Sequence, residues 1–414
     1  MARLIFYLVL FLTYVTFSSA AYNFSAYVPP SIVLNDKYFV DVEQEIRVGF
    51  RLFDASSVKK DSNVIKYQNL QYTTNTPDVK YPRVVGNKNK LFFFGVNGND
   101  VFESTIMFSF DINEKVWKEL KDVNMPSHLD PNQEENFVGP DSDGNAYLLY
   151  NDNNIMLTFN TETLQWNEYS IQSFVPTGYA YYVWYTATIL PDGNIAYIGG
   201  KFSNGTGYVD APMNQFYTYN TKTHVWAAKS TIGTTPGSRN SHSASLTSDG
   251  RIIIYGGVNA NDQPASPSLA VLDTNKYEWS APTENNPIGS LYLAPSVIVN
   301  DLMFLYLGVN ISSNVPTVFN KIFVLDTSSY TWSSLDPVVT DSDDNIYSNG
   351  NNQLTAVVVN NNDLTMKLLI LLIVISSILV LAILGATFYR LYRSRRLNSQ
   401  ISPKVIDNSH QQPA

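Results

Sequence analysis

The segment SRNSHSASLTSDGRIIIYGGVNANDQPASPSLAVLDTNKYEW, residues 238–279, carries the signs on which the fold turns. Ala244–Thr247 and Ile252–Tyr255 are short apolar runs on either side of Asp249-Gly250. Asp-Gly between such runs is the type I′ hairpin signal, and it predicts positive φ at both turn residues. Runs this apolar suit inner strands covered on both faces. Gly256-Gly257 closes the second run, a loop rich in Asn, Pro and Ser fills 258–267, and a third strand ends in Leu272-Asp273. Trp279 follows six residues after that Asp. The intervening polar stretch is turn-prone and joins two outer strands, the last of which carries the tryptophan. The segment therefore reads as one four-stranded antiparallel sheet.

The same phrase recurs along the 414 residues. An apolar strand, then Asp or Asn, then Trp six residues later appears as Phe110-Asp111…Trp117, Phe159-Asn160…Trp166, Tyr219-Asn220…Trp226, Leu272-Asp273…Trp279 and Leu325-Asp326…Trp332. Successive tryptophans are 49, 60, 53 and 53 residues apart, and Trp184 falls outside the register. Inner hairpin turns precede them at Asp143-Gly144, Asp192-Gly193, Asp249-Gly250 and Asn300-Asp301, with Asn87-Lys88-Asn89 in the first full repeat. A period near 50 residues built from β-branched and aromatic strands is that of a propeller blade. A large amphipathic Trp on the last strand suits packing one twisted sheet on the next.

With Gly199-Gly200 and Gly256-Gly257 closing apolar strands, Arg239-x-x-His242 ahead of the second pair, and Trp117, Trp166, Trp226, Trp279 and Trp332 in register, residues 40–335 resemble the kelch-repeat family. The resemblance implies an all-β propeller, akin to the central domain of galactose oxidase, in which these glycines, Arg239, His242 and the tryptophans are framework. The chain is similar to membrane-anchored kelch proteins, including those common in fungi. Three repeats depart from the double glycine, with Gly95-Val96, Leu149-Tyr150 and Leu307-Gly308 in its place. Further strand-like runs at Ser31–Leu34, Tyr38–Val40 and Val48–Phe53 raise the expected count to six blades, with seven the alternative. Closure is expected from a strand of one terminus completing the blade begun at the other, with Leu354–Val359 as the candidate, because closure removes exposed sheet edges.

The two ends point to a membrane. Residues 1–20 run apolar from Leu4 to Phe17 behind Arg3 and end in Ser18-Ser19-Ala20, the pattern of a cleaved signal peptide. The propeller is assigned to 21–336 and an Asn/Asp-rich linker, with its acidic cluster Asp341, Asp343 and Asp344, to 337–365. Leu368 to Tyr389 gives 22 residues without a charge, enough for a helix across the bilayer, and the span is assigned to 366–389. Arg390, Arg393, Arg395 and Arg396 follow, so 390–414 is expected to be a basic cytoplasmic tail able to lie on anionic lipid. The expectation is a single-pass type I protein with its propeller outside the cell, the plasma membrane being the default in the absence of a retention signal. Asn23, Asn204 and Asn310 each begin an N-x-S/T sequon and are the glycosylation candidates.

Charge and composition narrow the partners. The chain has 27 Lys+Arg, 36 Asp+Glu and no cysteine. Residues 21–365 hold 20 basic against 35 acidic side chains, about −15, a face unsuited to nucleic acid. Without cysteine there is no disulfide, no thiol nucleophile and no copper–radical cofactor of the galactose oxidase kind, and no cofactor or metal is expected. Asp141-Ser-Asp143-Gly-Asn145 resembles a calcium loop at its start but has Ala146 and Asp152 where glycine and glutamate are required, so a plain hairpin is the better reading. Arg239 and His242 are weighed as a catalytic pair and read as framework. In a four-stranded meander the loops 201–212, 258–267 and 309–320 share a face opposite the Asp-Gly turns, and variable loops on a rigid scaffold are where recognition lives. The expected function is non-catalytic recognition or adhesion through that face, toward a protein or glycan. The alternative is a carbohydrate-active enzyme of the secretory pathway or cell wall.

Overall fold

In the computed structural model the described residues are 32–42, 50–70, 79–97, 105–121, 123–126, 137–150, 155–171, 181–203, 207–306, 308–310, 317–318 and 321–340. Among them the architecture is all-β, with one three-residue 3-10 turn at Ala55–Ser57. The candidate signal peptide, the run 354–359, the span 366–389 and the basic tail lie outside the described residues. Among those described, no helix is long and apolar enough to cross a membrane.

Among the described residues six antiparallel meanders follow one another. The first is made of Ile32–Leu34, Tyr38–Val42, Phe50–Asp54 and Val64–Leu70, and the second of Val79–Asn87, Lys90–Asn97, Thr105–Asp111 and Val116–Glu119. In the third, Asn145–Tyr150, Ile155–Asn160 and Trp166–Ser170 are joined by a single inner bridge from Val138 to Tyr147. The fourth comprises Thr186–Ile189, Asn194–Ile198, Gln215–Asn220 and Trp226–Ser230. The fifth comprises Ser243–Leu246, Arg251–Tyr255, Leu269–Asp273 and Glu278–Ser280. The sixth comprises Ser296–Val299, Leu302–Leu305, Ile322–Asp326 and Thr331–Val339.

Burial explains why each stretch takes its place. Second strands such as Arg251–Tyr255 and Leu302–Leu305 are buried almost throughout, since apolar neighbours cover both of their faces. The outer strand Trp166–Ser170 has only half-buried and exposed positions. The innermost strand Thr186–Ile189 is half-buried, not doubly covered as its sequence suggests, because its inner edge has no further strand beside it.

The core is a circle of sheet-to-sheet contacts. Phe50 and Phe93 share one apolar cluster across the first and second blades, Phe94 and Phe159 one across the second and third, and Tyr147 and Tyr197 one across the third and fourth. Ile198 and Ile252, then Tyr255 and Leu325, continue it through the sixth. Phe39 and Phe53 of the first blade then pack on Phe304 and Val324 of the sixth, with Phe39 stacked 4.9 Å from Tyr306. The circle closes at six.

Closure differs from the expected completion of a shared blade. Among the described residues both terminal blades supply four strands of their own. The sixth blade's outer strand continues past its sheet, and Asp336–Val339 pair in parallel with Val64–Tyr67 on the outer edge of the first. The same device links earlier blades, where Ile232-Gly233 pair in parallel with Glu278-Trp279 and Asn285 bridges Thr331. Each strap covers an otherwise open outer edge among the described residues, while the closing role expected of 354–359 lies outside them.

The inner turns correct a second expectation. Gly193 and Gly250 have φ of +81° and +87°, but their Asp neighbours do not have positive φ. With Gly193 N–H donating to Leu190 and Gly250 N–H to Thr247, these are type I turns ending in a left-handed glycine. Two positive φ values in succession occur instead at Asn300 and Asp301, the least typical of the turns by sequence.

Candidate functional site: the loop face

The two ends of the blades are built differently. At one end the Asp/Asn of each repeat caps its own turn: Asn220 Oδ1 accepts from the N–H of Lys222 and Thr223, and Asp273 Oδ1 from Asn275 and Lys276. Four residues on, Lys115, Leu164, His224, Tyr277 and Tyr330 all adopt positive φ, which swings the chain back so that Trp enters the outer strand two residues later. Thr161, Thr221 and Thr274 donate from Oγ1 to the carbonyls of Gly144, Gly193 and Gly250, tying the outer turn to the inner one. Asp141 Oδ1 likewise accepts from the N–H groups of Asp143 and Asn145 while Oδ2 takes the Tyr147 hydroxyl, which makes it a hairpin cap. This face is closed by its own hydrogen bonds.

The opposite face carries added structure. The chain between second and third strands of the fourth blade, read from sequence as a loop over 201–212, forms the hairpin Lys201–Ser203 and Tyr208–Asp210 against Tyr181–Val183. In the sixth blade, Val309–Asn310 and Thr317–Val318 do the same against Leu291–Tyr292. The fifth reduces the arrangement to bridges from Val258 to Asn240 and Pro264. Of the sequon asparagines, Asn310 is a half-buried member of the second hairpin, while Asn23 and Asn204 lie outside the described residues.

Beneath these hairpins the double glycines and the Arg-x-x-His element meet at blade boundaries. Gly200 N–H donates to the Arg239 carbonyl and Gly257 N–H to that of Leu291, 2.8 Å in each case. A Cβ on Gly199 would stand 2.6 Å from the Arg239 oxygen, and one on Gly256 1.9 Å from that of Leu291. Backbone thus touches backbone between blades, which excludes any side chain. Arg239 is fully buried and donates to four carbonyls: Nε to Gly237, Nη1 to Gly256 and Ser268, and Nη2 to Pro267 at 2.7 Å.

His242, 5 % exposed, lies 3.0 Å from Thr186 Oγ1 through Nε2, and no partner reaches its buried Nδ1. Burial, aided by the Arg239 charge, pushes its pKa down to about 3, so the ring is neutral. The pair is wired into the framework rather than aimed at a cleft. Trp279 and Trp332 are buried on the preceding blades, with Trp279 Nε1 donating to the Met213 carbonyl and Trp332 set 4.6 Å from Tyr255. Trp117, Trp166 and Trp226 are half-buried, against Phe50, Phe94 and Tyr197.

Sequence reasoning missed the group that stands out on this face. Trp184 has φ +56°, and its carbonyl accepts the N–H of Ser241, which also has positive φ and accepts in turn from Leu293. Trp184 is therefore the fourth blade's member of a chain of links around the inner strands. Its ring packs 5.1 Å from that of Tyr208, and Lys201 Nζ lies 5.5 Å over it. Tyr208 and Val209 are 56 % and 50 % exposed. Below them Lys201 Nζ approaches Asp210 Oδ1 at 4.0 Å. The available signal was a tryptophan outside the repeat register.

Comparison with known proteins gives a consistent picture. The family model described as the KLHDC2/KLHL20/DRC7 Kelch-repeats domain matches residues 184–365. Kelch domain-containing protein 3 of Rattus norvegicus is 28% identical over 185 residues, 42% of this chain and 47% of that protein. The Homo sapiens protein of the same name is 27% identical over 190 residues, 43% of this chain and 48% of that protein. Rho GTPase-activating protein gacHH of Dictyostelium discoideum is 30% identical over 83 residues, 20% of this chain and 5% of that protein. The chain thus spans about half the length of the first two relatives, or far less for the third. These similarities and the blade order support a kelch-type β-propeller and, at that level, a module for protein interaction.

Proposed function

We propose that this protein is a single-pass type I membrane glycoprotein whose kelch propeller binds partners through its loop face without catalysing a reaction. The observation that carries the recognition reading is the asymmetry between the two ends of the blades. The turn face spends its polar groups on its own turns, whereas the loop face is built up into hairpins that expose Tyr208 and Val209. Exposed aromatic and apolar side chains on a rigid platform are features of protein interfaces. The match to the kelch-repeat model favours a protein ligand over a glycan. The membrane and glycosylation parts rest on the sequence: the apolar runs at 4–17 and 368–389, the arginines after Tyr389, and the sequons at Asn23, Asn204 and Asn310.

The test measures binding of the full chain, held in detergent, to proteins captured at the cell surface and to a glycan and cell-wall polysaccharide array, with and without EDTA. Saturable protein binding that falls at least tenfold when 258–267 is shortened to a tight turn is the expected result. Binding indifferent to every loop-face change, or a glycan turned over instead of held, would overturn the reading.

A further inference from the structure

We infer that Trp184 and Tyr208, set over Lys201 and Asp210, form a docking site for a partner's peptide segment that presents an arginine or lysine beside an apolar side chain. This rests on the recognition reading above and adds the chemistry of the partner.

Three independent observations converge on the patch. The first is that the fold does not require an indole at 184. Ser241 and Leu293 hold the corresponding positions before the next two inner strands with φ of +53° and +56°. A hydroxymethyl or an isobutyl group serves there with the same backbone conformation, so the indole is not set by the framework.

The second is exposure. Tyr208 leaves 56 % of its surface in water although it belongs to a paired strand, and it extends the aromatic surface begun by Trp184.

The third is an unbalanced carboxylate. The Asp210 side chain is only 10% exposed, and its Oδ1 is buried with no hydrogen-bond partner. Lys201, itself 13% exposed, stops 4.0 Å away, too far for a hydrogen bond. Of the charged groups that act on Asp210, Lys201 is the cation and Asp262, from the next blade's loop, is a second carboxylate. Burial chiefly, with Asp262 adding to it, raises the proton affinity of Asp210 despite Lys201. The Asn240 side chain and the Ala260 N–H also stabilise the carboxylate, but among the charges that act on it two carboxylates stand against one ammonium.

A basic side chain laid over the patch supplies the positive charge that is missing. Its stem and an adjoining apolar side chain would lie on the Trp184 and Tyr208 rings, where cation–π attraction adds to burial. An acidic segment meets like charge at the same place.

The test pans a phage-displayed random dodecapeptide library against the full chain. Enriched peptides are then titrated against wild type, Tyr208→Ser, Asp210→Asn, the 258–267 deletion and the turn-face variant Lys222→Ala. Peptides pairing a basic with an apolar residue are expected. They should weaken at least tenfold on Tyr208→Ser and on Asp210→Asn, keep their affinity for Lys222→Ala, and lose binding when the basic residue becomes Glu. Because Tyr208 is exposed, its variant reports the contact even where Asp210→Asn disturbs folding. Acidic peptides sensitive to Tyr208→Ser would overturn the charge assignment. Peptides lost only with the 258–267 deletion would overturn this patch but leave loop-face recognition standing. Peptides lost only with Lys222→Ala would overturn both, and a library yielding no binder would overturn peptide docking.

Discussion

Tyr182 and Arg239 stand at equivalent places in successive blades and hold the same backbone group by different chemistry. The Tyr182 hydroxyl donates 2.6 Å to the carbonyl of Gly199, and Arg239 Nη1 donates 3.1 Å to that of Gly256. Both side chains are fully buried, and each fixes the first glycine of a double-glycine step where two blades meet. Arg239 adds bonds to three further carbonyls. Tyr182→Phe is expected to cost about 1–2 kcal/mol for one stranded carbonyl, and Arg239→Lys roughly 3 kcal/mol because an ammonium cannot span the fork. Urea unfolding of both variants checks the order.

The glycines themselves separate crowding from backbone strain. Gly256 has φ +67° and no room for a Cβ beside the Leu291 carbonyl, whereas Gly289 has φ +86° with nothing within 4 Å. Gly289→Ala should cost about 1–2 kcal/mol from conformation alone, and Gly256→Ala several kcal/mol more. Thermal melts of the two proteins side by side give the difference.

His242 makes stability depend on pH in a defined window. Its folded pKa, pushed down to about 3 by burial and then by Arg239, lies below its ordinary value of 6.5. Between those limits the unfolded chain binds the extra proton, so stability rises with pH and falls on acidification, by up to about 1.4 kcal/mol per pH unit. Its contribution is level above pH 6.5. Carboxylates held low by their partners, such as Asp249 beside Arg251, add losses only at more acidic pH. Unfolding free energies at pH 7 and pH 5 should therefore differ less in His242→Gln than in wild type.

Ring closure is open to a direct structural check. Asp336 N–H donates to the Asn63 carbonyl and Thr340 N–H to that of Tyr67, bracketing the parallel strap, and Lys60 pairs with Asp326 at 2.5 Å across the same seam. Replacing 336–339 by Gly-Ser repeats should speed hydrogen exchange at Val64–Leu70, while Ile252–Tyr255 keep their protection. Equal protection in both proteins would mean that the strap does not hold the seam.

The membrane and glycan proposals are checked together by expressing the full chain in a eukaryotic secretory host. A mobility shift on removal of N-linked glycans, lost when Asn23, Asn204 and Asn310 all become Gln, is expected, with the chain in the membrane fraction after alkaline wash.

Much of the propeller was legible because its repeats constrain the chain in similar ways. Asp or Asn must cap the same turn, Trp must reach the preceding sheet, and Asp111, Asn160, Asn220, Asp273 and Asp326 therefore keep one spacing. What escaped was conformational. Asp192-Gly193 and Asn300-Asp301 both read as hairpin turns, but their φ values depend on the length and register of the flanking strands. Residues at the fourth position of the outer turn vary from Lys115 to Tyr330 because the strain there is met by a shared hydrogen-bond pattern, not by a residue type. The strap is invisible in composition, since a strand that pairs with a distant outer edge looks like an extension of its own sheet. The aromatic patch emerged only when the hairpin 201–210 brought Tyr208 onto Trp184.

Recognition through the loop face is tested most directly by placing a photo-crosslinking benzophenone residue at Tyr208 or at Lys222 of the full chain and irradiating intact cells. Covalent partner adducts are predicted from position 208 and none from position 222. Adducts from 222 alone would contradict the assignment of the binding face.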